Sequence, residues 1–225
     1  MPVPTSKNHK PLRPKSRLNT EDTRSTLIRA AQKHFGANGY KAASVHEIAR
    51  DAKLNVSLVN YHFGGKEGLF KACFKQAGLA RLEIAERILV TEPSSIEEVR
   101  IRLGLFVDEM LIDSMRNPEI FAIIQRELTA EFDILGDVFR TTFFRTFKLL
   151  SAFFTKAKEK KILATWVDPN LSAVQLIGSI MHIIRSDEIR AKIFKKSIDD
   201  PNVRATTRDY LVKTTLEGIW NQGRK

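Results

Sequence analysis

A chain of 225 residues with 43% hydrophobic residues has room for one or two domains with a sizeable core, which excludes a wholly disordered chain. Its one cysteine, Cys73, excludes an intramolecular disulfide, a CxxC redox pair and a cysteine-built zinc cluster, and makes a reducing cytoplasm the expected setting. The net charge of +11 is localised: residues 1–71 hold 13 Lys and Arg against 5 Asp and Glu, whereas residues 72–225 hold 24 against 21. Such a field points to nucleic acid or an anionic membrane surface. The longest apolar run, Val174 to Ile184, is about half of the roughly 20 residues a membrane span needs. The basic start lacks the apolar stretch of a signal peptide.

Residues 1–20 read as a flexible basic arm. Lys7, Lys10, Arg13, Lys15 and Arg17 precede the first acid, and Pro2, Pro4, Pro11 and Pro14 oppose a helix. Two readings stay open for it, an inert solubilising tail and a contact with phosphates or the minor groove. From Glu21 the pattern is helical. Leu27, Ile28, Ala31 and Phe35 recur at helical spacing, and Asn38-Gly39 supplies a stop. Ser44-Val45-His46-Glu47 has the form of a capping box and opens a helix running to Asp51. After a break at Ala52-Lys53-Leu54, Asn55 caps a short helix over 56–62 that ends at Gly64-Gly65. A long helix follows from Lys66 to Leu89. Beyond Pro93-Ser94-Ser95 the spacing predicts helices over 95–116, 118–129, 135–161, 169–186 and 203–222, with Pro118, Pro169 and Pro201 at three breaks. No strand-like alternation occurs, so the expected class is all-α: a three-helix head over 21–67 and a helical bundle over 68–225.

The segment 44–66 carries the functional signal. Two short helices across a tight turn form a helix-turn-helix, whose second helix enters the major groove of DNA. Val59 and Phe63 share an inward face, while Ser57, Asn60 and Tyr61 share the other. Asn60 can donate to and accept from an adenine edge, and Leu58 can meet a thymine methyl. Ser57, Tyr61 and His62 can bond phosphates or base edges, and Val56 could pack inward or touch a methyl. Lys66 opens the fourth helix just after two glycines, where free N–H groups and the helix dipole favour a phosphate.

Residues 24–74 closely resemble the DNA-binding domain of TetR-family transcriptional regulators. The resemblance rests on Leu27 to Phe35, Asn38-Gly39-Tyr40, Ser44 to Ala49 and, above all, the run Val59-Asn60-Tyr61-His62-Phe63-Gly64-Gly65-Lys66-Glu67-Gly68-Leu69. It implies a homodimer on double-stranded DNA with a palindromic operator, and a C-terminal domain that dimerises and binds a small effector. By the same resemblance Ser57, Leu58, Asn60 and Tyr61 face the groove, His62 and Lys66 contact phosphate, and His46 reaches a base. Ser44 and Asn55, at the starts of the two helices, complete the expected DNA-facing set. Where the family's turn usually has glycine, this chain has Lys53. A positive φ there costs a non-glycine residue about 1 kcal/mol, so a slightly strained turn with Lys53 pointing outward is expected.

Of 14 Phe, nine lie between Phe106 and Phe154, with Phe139, Phe143 and Phe147 at i, i+4 and i+8. They read either as the core of a bundle or as an aromatic wall around an apolar cavity. Phe106, Met110, Phe143, Phe147, Trp166, Met181 and His182 are the expected pocket, with Arg126 to orient a hydrophobic or aromatic ligand. The helices 169–186 and 203–222 are too apolar for one narrow stripe. Leu171, Val174, Tyr210, Ile219 and Trp220 could meet a second copy or close the monomer's own core, and the family resemblance favours the dimer.

Catalysis finds no support. There is no HExxH, GxSxG, Walker loop or GxGxxG, and His46 and Glu47 are neighbours on different helical faces. The sequence therefore predicts neither a cofactor nor a metal. The competing function is a DNA-organising protein with the same head and no effector, binding many sites through phosphates.

Overall fold

The computed structural model describes residues 20–127 and 134–217. These form ten helices and no strand: α1 (Thr20–Ala42), α2 (Val45–Asp51), α3 (Ser57–Phe63), α4 (Lys66–Leu89), α5 (Ile96–Arg116), α6 (Pro118–Glu127), α7 (Gly136–Thr141), α8 (Phe143–Glu159), α9 (Pro169–Phe194) and α10 (Pro201–Glu217). The all-α expectation holds. The predicted arm, the end of the helix expected over 118–129, and Ile219 and Trp220 lie outside the described residues.

Two apolar clusters organise the molecule. The first joins Leu27, Ala31 and Phe35 of α1 to Ile48, Val59, Leu69, Phe70 and Phe74. It continues into Ile120, Ile123 and Ile124 of α6, so the head's packing does not stop at residue 67. The second joins the C-terminal part of α4 to α5, α8, α9 and α10 through Leu89, Leu103, Phe106, Phe153, Phe154, Leu176 and Leu216. α4 therefore belongs to both.

Charged side chains hold two helix ends. Arg102, buried in α5, donates from Nε to the Ile88 carbonyl (2.7 Å) and from Nη2 to that of Thr91 (2.7 Å), at the C-terminus of α4. Its guanidinium also covers the Phe153 ring at 4.5 Å. Arg126 does the same inside α1, which breaks at Gly39 (φ 74°, ψ 172°): it donates to the carbonyls of Phe35, Gly36 and Ala37, the end of the helix's main segment. A cation at a helix C-terminus also complements the helix dipole. Close approach completes this joint: a Cβ on Gly36 would stand 2.7 Å from Cβ of Glu119.

Two expected spans change. The helix expected over 135–161 is broken at Thr142, with φ −124° and ψ −78°. The Thr142 hydroxyl donates to the Val138 carbonyl, a local bond that competes with the helical ladder. The break lets Thr142 and Phe143 press on Gly78 of α4, where a Cβ would lie 2.3 Å from Thr142 Oγ1. α9 runs on to Phe194 rather than stopping at 186. Its Asp187 accepts from the Ser197 hydroxyl and the Ile198 N–H, bracing the returning chain from within the helix.

Candidate DNA interface and ligand cavity

The head's turn is built by backbone bonds. Lys53 N–H bonds the Arg50 carbonyl and Leu54 N–H that of Ala49, the pairing of a Schellman motif. Lys53 occupies its left-handed position at φ 56°, exposed, as expected. Asn55 Oδ1 accepts from Ser57 N–H at 2.8 Å and caps α3. At the far end Gly64 (φ 70°) and Gly65 (φ 120°) turn the chain sharply into α4. Few side chains other than glycine adopt the second of these conformations.

This frame buries Val59 and leaves Ser57, Asn60 and Tyr61 exposed on α3. Tyr61 is 78% exposed, more than any other exposed large hydrophobic residue among those described. Its ring meets His62 edge-on, 4.9 Å between centroids. His46 is exposed on α2, and Ser44 is half-buried at its start. Leu58, Val56 and Phe63 are half-buried and lean on the head's core, so Leu58 shows only part of its side chain outward.

Two expectations need correction. The capping box does not form. Ser44 makes no side-chain cap bond, and Glu47 stands 3.9 Å from Arg50 on the next turn. Nor does Lys66 stand free to meet a phosphate at the start of α4. Its Nζ donates to the Lys41 carbonyl at 3.0 Å and sits 4.9 Å above the Tyr40 ring, because α4 starts against the end of α1.

The body holds a cavity of about 370 Å³, open on one side to solvent, between α4, α5, α6, α7, α8 and α9. Of the expected lining, Phe106, Met110, Phe143, Phe147 and Met181 are there. Trp166 is not; it sits 68% exposed on the link between α8 and α9. His182 is exposed, turned from the cavity that its neighbour Met181 lines. Arg126 is absent because it is committed to the end of α1. Phe121, Phe139 and Phe144, which the sequence grouped in the aromatic wall without assigning them to the pocket, line it too, and sequence reading missed Ile124 of α6 and Val174, Ile177, Ile180 and Ile184 of α9 as lining. The aromatic enrichment was the available signal for the phenylalanines.

It also missed Arg81, in the middle of α4 at 7% exposure, whose Nε bonds Asp113 Oδ2 at 2.9 Å. Burial lowers this guanidinium from its ordinary value, and Asp113 opposes the shift. Cys73, the single thiol, is sealed in the head's core with Sγ 3.6 Å from the Ile28 carbonyl. Burial pushes it up to about 12, which removes it as a nucleophile at neutral pH.

A polar-faced second helix, held by a Schellman turn and a two-glycine exit, defines the class of the head: a helix-turn-helix of the DNA-binding kind. Residues 27–73 match the model for bacterial regulatory proteins of the tetR family. The HTH-type transcriptional regulator UidR of Escherichia coli (strain K12) is 28% identical over 116 residues, 48% of this chain and 59% of UidR. The HTH-type transcriptional repressor NicS of Pseudomonas putida is 28% identical over 107 residues, 47% of this chain and 48% of NicS. The chain thus spans about half the length of the curated relatives it matches. The fatty acid degradation regulator FadR of Bacillus halodurans shares the fold, with a TM-score of 0.67 at 17% identity over 84% of this chain and 97% of that one. The match to the tetR family thus lies in the head, over residues 27–73, while the chain as a whole shares the fold of solved regulators. Among the described residues no helix is long and apolar enough to cross a membrane.

Proposed function

We propose that this protein regulates transcription as a homodimer, binding a two-fold symmetric operator with α3 in the major groove and yielding it when a small apolar effector enters the body. The observation that carries this reading is the outward polar face of α3, on a head whose supporting helices α4 and α6 also wall the cavity. In this reading Ser57, Asn60 and Tyr61 read bases, with His46 and part of Leu58 beside them. Ser44, Asn55, His62 and the start of α4 at Lys66 meet phosphates.

Effector coupling follows from shared parts. α6 offers Phe121 and Ile124 to the cavity while its Arg126 grips the end of α1. α4 offers Arg81 to the cavity and Leu69 to Phe74 to the head. A ligand that favours one arrangement of α4 and α6 changes the spacing of the two heads. For the dimer, α9 and α10 leave Leu171, Val174 and Tyr210 largely exposed, which supports an interface between copies there. NicS, a repressor by name, supports repression as the sign of regulation.

The test is selection of bound fragments from a random DNA pool, followed by titration of the Asn60→Ala variant. A palindromic motif is expected. Asn60→Ala should lower affinity for it by about 1–3 kcal/mol and leave affinity for scrambled duplex unchanged. A pool without a motif would instead support the DNA-organising reading.

A further inference from the structure

Two phenylalanines one turn apart on α8 line the same cavity but lean on different cores. Phe147 packs against the body's cluster, and its ring stacks on Phe144 with 5.8 Å between centroids. Phe143 packs against the head's cluster instead. Its ring centre lies 4.6 Å from that of Phe74 and 5.7 Å from that of Phe139. Phe74 is buried on α4, and Phe70 lies one turn earlier on the same face. Phe70 in turn meets Phe35 edge-on at 4.8 Å and Tyr40 at 5.0 Å, and Lys66 sits over the Tyr40 ring. A row of aromatic side chains thus runs from the cavity wall to the place where α4 begins, just after α3.

Close packing passes a displacement along such a row, because no void absorbs it. The break at Thr142 gives the row a movable end, since the backbone leaves helical angles immediately before Phe143. On the other side Gly78 lets the ring close on α4; a Cβ there would stand 2.8 Å from Phe143 Cε2. Phe143 is therefore held between α4 and the cavity, and a ligand that displaces the ring has α4 to push against. α6 also touches both regions, but Arg126 and the close approach at Gly36 fasten it to α1, so it moves with the head. Resting on the effector-cavity reading above, we infer that Phe143 is the residue through which occupancy of the cavity reaches the head. An apolar ligand seated against its ring shifts Phe74 and, through it, the start of α4.

The test compares Phe143→Leu with Phe147→Leu in the full-length protein, the same change on neighbouring turns of one wall. Phenylnaphthylamine, an uncharged aromatic probe, reports binding by its fluorescence. Amide hydrogen exchange over residues 66–74 reports the response of the head. Both variants should bind the probe within about ten-fold of the natural protein, the cost of a slightly smaller apolar side chain. At saturation the probe should change exchange over 66–74 by roughly five-fold or more in the natural protein and in Phe147→Leu, the lower end of allosteric coupling. In saturated Phe143→Leu the change should fall below about two-fold. An undiminished response in Phe143→Leu, or one lost equally in Phe147→Leu, would overturn this inference alone. So would loss of probe binding in Phe143→Leu, which would leave the ring a wall residue only. Probe binding that leaves the head of the natural protein unchanged would overturn effector coupling as well. Failure of the natural protein to bind the probe would overturn the cavity reading beneath both, leaving DNA binding untouched.

Discussion

The head and the body solve opposite problems. The head buries Leu27, Phe35, Ile48, Val59 and Phe70 and turns a polar face outward. The body has more apolar surface than one chain covers. Of the 26 residues of α9, the buried ones are Ser172, Ala173, Leu176 and Ile180, while Leu171, Val174, Ile189, Ile193 and Phe194 stand exposed. The cavity adds a second unfilled apolar surface. A finished head on an unfinished body is what a protein needs if DNA meets one end while a second copy and a ligand complete the other.

The contrast does not make the two regions independent, and core truncation is the strongest way to break that claim. Phe35 sits at the centre of the head and Phe154 at the centre of the body, both fully buried. Each replaced by alanine should lose about 3–5 kcal/mol in urea titrations followed by circular dichroism. Because α4 and α6 feed the head's cluster while α4 also feeds the body's, both variants should still unfold in one transition. A head that melts first in Phe35→Ala would mean the shared helices do not couple the regions.

Legibility in the sequence divides along the same line. The head was readable because its rules are local: a capping asparagine, a two-residue glycine exit and an i, i+4 inward pair act within a few residues. What failed there was long-range. Lys66 bonds a carbonyl 25 residues away, and no local pattern reports that. In the body the Phe139, Phe143 and Phe147 periodicity runs straight through the break at Thr142 and concealed it. Arg126 stood out as a polar residue in an apolar helix, but its partners are about 90 positions distant, so its role as a clasp on α1 could not be read. Arg81 was hidden for the same reason, since Asp113 reaches it from another helix.

The clasp gives a sharper test of how the regions communicate. Arg126→Met keeps the stem of the side chain and removes three bonds to the end of α1. These bonds are partly exposed, so the expected loss is about 1 kcal/mol of global stability. The change should concentrate where the clasp acts. Amide hydrogen exchange should quicken in the turn of α1 just before the Gly39 break and in α6, with α10 unaffected. Uniform quickening, or none, would remove Arg126 from the joint between head and body.

The smallest expected effect lies in the turn. Lys53 holds φ 56°, where a side chain costs about 1 kcal/mol relative to glycine. Glycine gives part of that back through its freedom in the unfolded chain, so Lys53→Gly should gain only about 0.5 kcal/mol. Lys161 and Lys195 hold the same conformation outside the head, so strain alone does not mark Lys53; its exposure on the turn before α3 is what a contact with the DNA backbone would require. Lys53→Asn separates the two effects, because asparagine tolerates the left-handed conformation and carries no charge. Both variants should bind scrambled duplex more weakly and flatten the salt dependence by about one unit, the signature of one lost phosphate contact. A stability gain with an unchanged salt slope would leave Lys53 as strain without a purpose at the DNA, and would move the head's electrostatic contact elsewhere on its surface.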